Sequence, residues 1–317
     1  MTTAGARLPG TPEPMHTWLG AGGIRIAGDS WGPSDGPLVL LQHGAGQTRH
    51  AWGGTGKLLG QAGYRAVAFD ARGHGDSDWA PDGIYTQDVM VRDLECVVAA
   101  LGGRRPVLVG ASMGGATSLV AVGEDHVDAS ALILVDIVPR VTAAGAGRIQ
   151  AFMAQKPEGF GSLEEVADAI SSYQPQRTRP KSLDGLAKNV RLGTDGKYRW
   201  HWDPQYRSGT RDLERRMQRL DACARRLQLP TLLVRGGLSD LVTEEAVREF
   251  LVLCPHSEFV NVSNVGHMVA GDRNDVFGAA AIEFLGRKVP ATGTPAHPPH
   301  ATGDLPARPG KDLNGVP

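Results

Sequence analysis

The sequence predicts an α/β fold: a mostly parallel twisted sheet with helices on both faces and an inserted helical lid. Three observations carry that prediction. Short apolar runs alternate with longer helix-compatible stretches, the rhythm of strands joined by helical crossovers. The runs are near-continuous in Val, Leu, Ile and Ala, as strands covered on both faces require. Third, Gly110-Ala111-Ser112-Met113-Gly114 follows the apolar run Pro106–Val109 directly and opens a helix-compatible stretch. That is a strand–turn–helix setting for a G-x-S-x-G pattern.

Taken in order, the predicted strands are Ile24–Asp29, Leu38–Gln42, Ala66–Phe69, Val107–Val109, Ala131–Val135, Thr231–Arg235 and Glu258–Val262. Residues 1–14 are rich in Pro, Gly and Thr and read as a disordered N-terminal segment. The core then runs over residues 15–138 and resumes over 230–289. Seven of the 21 prolines fall between Pro290 and Pro317, so 290–317 reads as a disordered tail. Between Ala131–Val135 and Thr231–Arg235 lie about ninety residues without an evident sheet strand. A structureless loop of that length does not suit a compact domain. A helical cap over residues 139–229 accounts for it, placed above the carboxyl edge of the sheet where ligands of open α/β folds bind. Leu213–Leu227 is its clearest helix. Its aromatic residues Tyr198, Trp200, Trp202 and Tyr206 either join cap to core or line a pocket.

Composition narrows the function classes. Lys plus Arg number 33 against 34 Asp plus Glu, which gives no basic surface for nucleic acid. Cys96, Cys223 and Cys254 are few, odd in number and far apart, so neither a disulfide framework nor a metal site is expected. No apolar run approaches the length of a bilayer span, and Met1–Pro14 has no signal-like apolar segment. A cytoplasmic protein with a small-molecule partner, no cofactor, no nucleic acid and no membrane is the expectation.

The turn around Ser112 lifts its hydroxyl clear of the sheet, while the following helix aims its first amides at the same point. A serine hydroxyl is a poor nucleophile without a base and an orienting acid. His267 supplies the base: it follows the last predicted strand through Ser263-Asn264-Val265-Gly266. For the acid, Asp240 follows Thr231–Arg235 through Gly236-Gly237-Leu238-Ser239, and this loop context favours it. Asp136, directly after Ala131–Val135, is the rival, since an acid one strand earlier can also reach the imidazole. Charge developing on a carbonyl oxygen needs two amide donors. Met113, behind Ser112, offers one, and Ala45 in His43-Gly44-Ala45-Gly46 offers the other. His43 abuts the glycine turn and reads as a structural side chain bonding that loop.

These pieces together resemble the capped, cofactor-free α/β-hydrolase family, the group of serine esterases, lactonases, carbon–carbon bond hydrolases and cofactor-free haloperoxidases. The resemblance is carried by His43-Gly44 with Trp52 downstream, by Asp70-Ala71-Arg72-Gly73-His74-Gly75-Asp76-Ser77 and by Gly110–Gly115. Arg235–Asp240 and Gly266-His267-Met268 complete it, and the whole spans roughly residues 16–288. It implies a triad in the chain order Ser112, Asp240, His267, with oxyanion amides from Ala45 and Met113. It assigns no chemistry to Arg72 or His74, and Trp52 with the cap residues Trp200 and Trp202 is the expected set of substrate-binding residues. Serine at position 112 argues against the epoxide hydrolases and haloalkane dehalogenases of this fold, which use aspartate there. The implied reaction is cleavage of a carboxylic ester, thioester or lactone of a small, largely apolar substrate through an acyl-enzyme. Carbon–carbon bond hydrolysis, perhydrolysis with peroxide and non-catalytic binding of a small molecule are the alternatives.

Overall fold

Eight strands pair into one sheet in the computed structural model, which describes residues 4–173, 183–206, 212–263, 265–267 and 274–291. They are β1 (His16–Leu19), β2 (Arg25–Trp31), β3 (Leu38–Gln42), β4 (Arg65–Phe69), β5 (Val107–Ala111), β6 (Ala131–Val135), β9 (Thr231–Gly236) and β10 (Glu258–Val262). The short strands β7 (Val190–Leu192) and β8 (Tyr198–Trp200) form a separate hairpin. The sheet order is β1-β2-β4-β3-β5-β6-β9-β10. Pairing is antiparallel for β1 with β2 and for β2 with β4, and parallel from β4 onward.

Side chains of the parallel strands alternate between two cores, as the pleat dictates. On one face Leu40, Leu108, Leu132, Leu134 and Leu233 pack under the helices α2 (Gln87–Ala100), α3 (Met113–Gly123), α6 (Leu213–Arg226) and α7 (Glu244–Leu253). On the other, Val39, Leu41, Val109, Ile133 and Val234 meet Leu59 of α1 (Gly53–Gln61) and Phe277, Ala281 and Phe284 of α8 (Asn274–Lys288). Helix starts follow the capping rules: Thr86, Asp212 and Thr243 each accept a first-turn backbone N–H. No described helix is long and apolar enough to cross a membrane.

Three expectations about organisation change. The cap is not purely helical: beside α4 (Ala143–Ala154) and α5 (Leu163–Tyr173) it contains the β7–β8 hairpin. Nor does it extend to residue 229, because Leu220, Cys223 and Ala224 of α6 are buried in the main core and the α6 backbone at Cys223 lies against Gly123 of α3. Residues 4–14, expected to be loose, dock on the cap. Ala6 and Leu192 exchange backbone hydrogen bonds of 2.9 and 2.8 Å, and Leu8 packs beside the cap's aromatic cluster. Backbone pairing to a strand edge leaves no trace in composition. Of the predicted tail, residues 292–317 lie outside the described residues.

Candidate active site

Ser112 sits between β5 and α3 with φ 46° and ψ −106°, a backbone state that side chains rarely adopt. The turn is sharp enough that a Cβ on Gly110 would lie 2.4 Å from the Gly114 carbonyl, and one on Gly114 2.5 Å from the Gln42 carbonyl oxygen. Only glycine fits either position. The Ser112 N–H donates to Val135 O at 3.1 Å, which ties the serine to the end of β6.

Asp136 is the next residue after that carbonyl, and His267 meets it. The His267 Nδ1 lies 2.6 Å from Asp136 Oδ2, the carboxylate fully buried and the ring only 11% exposed. Two further donors converge on the same carboxylate, the Gly236 N–H on Oδ1 at 2.9 Å and the Ser239 hydroxyl on Oδ2 at 2.5 Å. Asp136 thus fixes the ring: with Nδ1 the donor, Nε2 is the nitrogen that can accept a proton. The expected partner, Asp240, is elsewhere. It is exposed and forms an ion pair with Arg148 of α4. The residue of the β9 loop that turns back toward Asp136 is Ser239, one residue earlier. Asp136 itself takes a positive φ of 48°, which swings its side chain off the end of β6 into the loop space between β6 and β9. The signal in the sequence was an aspartate with no spacer after a strand adjacent to the nucleophile's own.

The loop from His43 to Gln47 stands against the start of α3. The His43 carbonyl accepts the Gly114 N–H at 3.2 Å, and a Cβ on Gly44 would lie 3.4 Å from Ser112 Cβ. Gln47 folds its side-chain oxygen back onto the Gly44 N–H at 2.9 Å, and Gly46 turns at φ +74°. Met113 opens α3, where the first amides have no acceptor within the helix. Ala45 and Met113 both pack at the edge of the cap's aromatic cluster.

The three tryptophans separate. Trp52 is fully buried on the α1–α8 face, its ring 5.6 Å from that of Phe277, so it is a core residue and not a substrate contact. Trp200 and Trp202 stack at 4.9 Å inside the cap cluster. Trp202 reaches the site, its ring 3.4 Å from where a Cβ on Gly46 would be. Trp200 is flanked instead by Phe152, Phe160 and Trp202.

Sequence reasoning missed His201, on the cap just after β8. Its Nδ1 accepts the Gly75 N–H at 2.8 Å and its Nε2 faces Gly46 O at 3.3 Å. His43 bonds the loop as expected, Nδ1 to Gly44 O at 2.8 Å and Nε2 accepting the Ala71 N–H at 2.9 Å. Between them lies His74, whose ring is 5.3 Å from His43 and 5.9 Å from His201. Burial pulls all three pKa values down, His74 to about 3. Their folded-state values therefore lie below the unfolded value near 6.5, and the unfolded chain binds more protons between the two. The stability they confer is complete above about pH 6.5 and is lost as pH falls toward 3. We expect urea melts at pH 5 to show about 2 kcal/mol less stability than at pH 7.5 from His74 alone. A flat profile over that window would contradict neutral imidazoles as the seam between cap and core.

Comparison with known proteins agrees with this architecture. The family model for the alpha/beta hydrolase fold matches residues 37–273. Esterase Rv0045c of Mycobacterium tuberculosis is 31% identical over 272 residues, 83% of this chain and 85% of that protein. A 3-hydroxybutyrate-oligomer hydrolase of Cupriavidus necator is 29% identical over 261 residues, 78% of this chain and 88% of that one. Among solved structures, an alpha/beta hydrolase from Novosphingobium aromaticivorans superposes with a TM-score of 0.72 at 23% identity, covering 87% of this chain and 100% of its own.

Proposed function

Because the chain belongs to the α/β-hydrolase fold family, we propose that it is a serine hydrolase cleaving a carboxylic ester, thioester or lactone through an acyl-enzyme. One observation carries the reading: the 2.6 Å contact of His267 Nδ1 with the buried Asp136, beside a serine held in a strained turn. Ser112 Oγ attacks the carbonyl carbon while its proton passes to His267 Nε2. The carbonyl oxygen becomes an oxyanion received by the Met113 and Ala45 amides. Collapse breaks the acyl bond, and the imidazolium returns the proton to the departing alcohol, thiol or, in a lactone, the ring oxygen. Water then repeats the sequence on the acyl-serine and frees the acid. Asp136 keeps the ring in register and supports its charge.

The relatives named esterase Rv0045c and 3-hydroxybutyrate-oligomer hydrolase favour an oxygen ester. The aromatic cap cluster beside Ala45 and Met113 favours a largely apolar substrate body. A fluorophosphonate probe tests the mechanism. We expect one adduct per chain, on the peptide carrying Ser112, with loss of p-nitrophenyl ester turnover in proportion to labelling. Full turnover in fully labelled protein, or an adduct on another residue, would exclude it.

A further inference from the structure

The two amides offered to the oxyanion are held differently. Met113 is the first residue of α3, and the helix itself directs its N–H. Ala45 lies in the turn Gly44 to Gln47, so its aim depends on whatever fixes that turn. The turn stands beside the nucleophile: a Cβ on Gly44 would lie 3.4 Å from Ser112 Cβ. It closes through the Gln47 N–H, which donates to Gly44 O at 3.1 Å, with Gly46 at φ +74°. Among the described residues no acceptor meets the Ala45 N–H.

From the cap, His201 reaches the far end of the same turn. Its Nδ1 accepts the Gly75 N–H at 2.8 Å, and burial above all keeps the imidazole neutral. The ring hydrogen is therefore on Nε2, which donates to Gly46 O at 3.3 Å. Trp202, the next residue, sets its ring 3.4 Å from where a Cβ on Gly46 would be. One cap segment thus meets Gly46 with both a donor and a ring. A trans peptide carries its C=O and N–H on opposite sides, so holding one end aims the other. The path runs from His201 Nε2–H to Gly46 O, and across that peptide to the Gln47 N–H. It continues to Gly44 O, and across the second peptide to the Ala45 N–H. His43 Nδ1 gives Gly44 O a second donor at 2.8 Å.

We propose that His201 is a positioning residue for the oxyanion hole: through two successive peptides it aims the Ala45 N–H, so a cap residue completes machinery built on the core. This rests on the serine-hydrolase reading above and adds a residue to it.

Two substitutions separate the two ring nitrogens. An asparagine amide falls where Nδ1 stands and can keep the Gly75 bond. A glutamine amide reaches the place of Nε2 and can still donate to Gly46 O. With a p-nitrophenyl ester, His201→Asn is expected to lower kcat about 10-fold with KM within about twofold, and His201→Gln to recover most of it. The loss stays below the roughly hundredfold of deleting an oxyanion donor because His43 still holds Gly44 O. A trifluoromethyl ketone with the same acyl chain isolates the effect. Ser112 Oγ bonds its carbonyl carbon, the π pair moves to oxygen, and the hydroxyl proton goes to His267 Nε2. Its affinity should fall about 10-fold in His201→Asn, whereas the corresponding secondary alcohol, which forms no oxyanion, should bind all three proteins alike. Wild type gives a reading that needs no variant. The His201 Nε2–H resonance should move downfield with the ketone and not with the alcohol, since hydrogen bonds along one chain strengthen together. Unchanged kcat in both variants, equal weakening of ketone and alcohol, a glutamine no better than the asparagine, or a resonance unmoved by the ketone overturns the inference. Wild-type turnover and probe labelling at Ser112 then leave the hydrolase reading standing. If wild type neither labels nor turns over, the hydrolase reading fails and this inference falls with it.

Discussion

Asp136→Asn is expected to lower kcat/KM for an ester substrate by about 10³- to 10⁴-fold, whereas Asp240→Asn should change it by less than about threefold. The reason lies in which atoms face which. In the wild type, Asp136 accepts from Gly236 N–H on one oxygen and from His267 and Ser239 on the other. An asparagine must keep its carbonyl toward the Gly236 N–H, so its NH₂ faces the imidazole. Nδ1 then has to accept, the ring proton moves to Nε2, and the nitrogen meant to take the Ser112 proton is already protonated. Volume and fold are unchanged, so probe labelling at Ser112 should slow in parallel with turnover. Because the three groups act as a unit, Ser112→Ala and the double variant with Asp136→Asn should reach nearly the same floor. The Asp240 carboxylate pairs with Arg148 at an exposed position, and surface pairs of that kind contribute little. A crippled Asp240→Asn beside an active Asp136→Asn would return the acid's role to Asp240.

Loop context favours Asp240, yet His267 meets Asp136, and the difference shows where the sequence stops being legible. The strands were readable because burial on both faces forces apolar runs. The predicted Leu38–Gln42, Ala131–Val135 and Glu258–Val262 coincide with β3, β6 and β10. The turn at Ser112 was readable because a Cβ on Gly110 or Gly114 would meet backbone at 2.4 or 2.5 Å, a constraint that only glycine satisfies. Asp136 and Asp240 both sit in loops at the same sheet edge, and choosing between them requires knowing where a side chain points. The positive φ at Asp136 decides it, and nothing in the residue types announces that angle. Trp52 illustrates the same limit: an indole suits a core or a pocket equally well, and only its packing on Phe277 tells them apart. The docking of residues 4–14 and the role of His201 depend on backbone partners far along the chain, Leu192 and Gly75, which no local pattern encodes.

The largest stability effect is expected at Arg49, a residue with no chemistry to perform. It is fully buried and its guanidinium reaches Asp29 at 2.9 Å, Asp70 at 2.6 Å and Asp76 at 2.8 Å. Asp76 also binds Arg191 of β7 at 2.9 Å, so the cluster joins β2, the turn after β4 and the cap. Burial alone would raise the Asp70 pKa, but Arg49 beside it, with His43 and the Arg49 and Asp76 N–H groups, holds it below the ordinary value. Arg49→Met removes the common cation and strands Asp70 at zero exposure. A broken buried ion pair of this kind costs about 3–5 kcal/mol, because the remaining charge loses both partner and water. The sign with pH follows. With Arg49 present, Asp70 stabilises the fold above its unfolded pKa and loses that contribution only as pH falls through its lowered folded value. Without Arg49, burial prevails and the folded pKa rises above the unfolded one, so the variant regains stability as pH falls toward the unfolded value. The gap between wild type and Arg49→Met in urea melts should therefore narrow from pH 7.5 to 5.5, the more so because Arg49 also helps to lower the pKa of His43. A loss below about 1 kcal/mol, or a gap that does not change with pH, would show that the carboxylates are held by something other than this arginine. Since the same cluster ties β7 of the cap to the Gly75–Asp76 turn, a variant that still folds should show a raised KM before any fall in kcat.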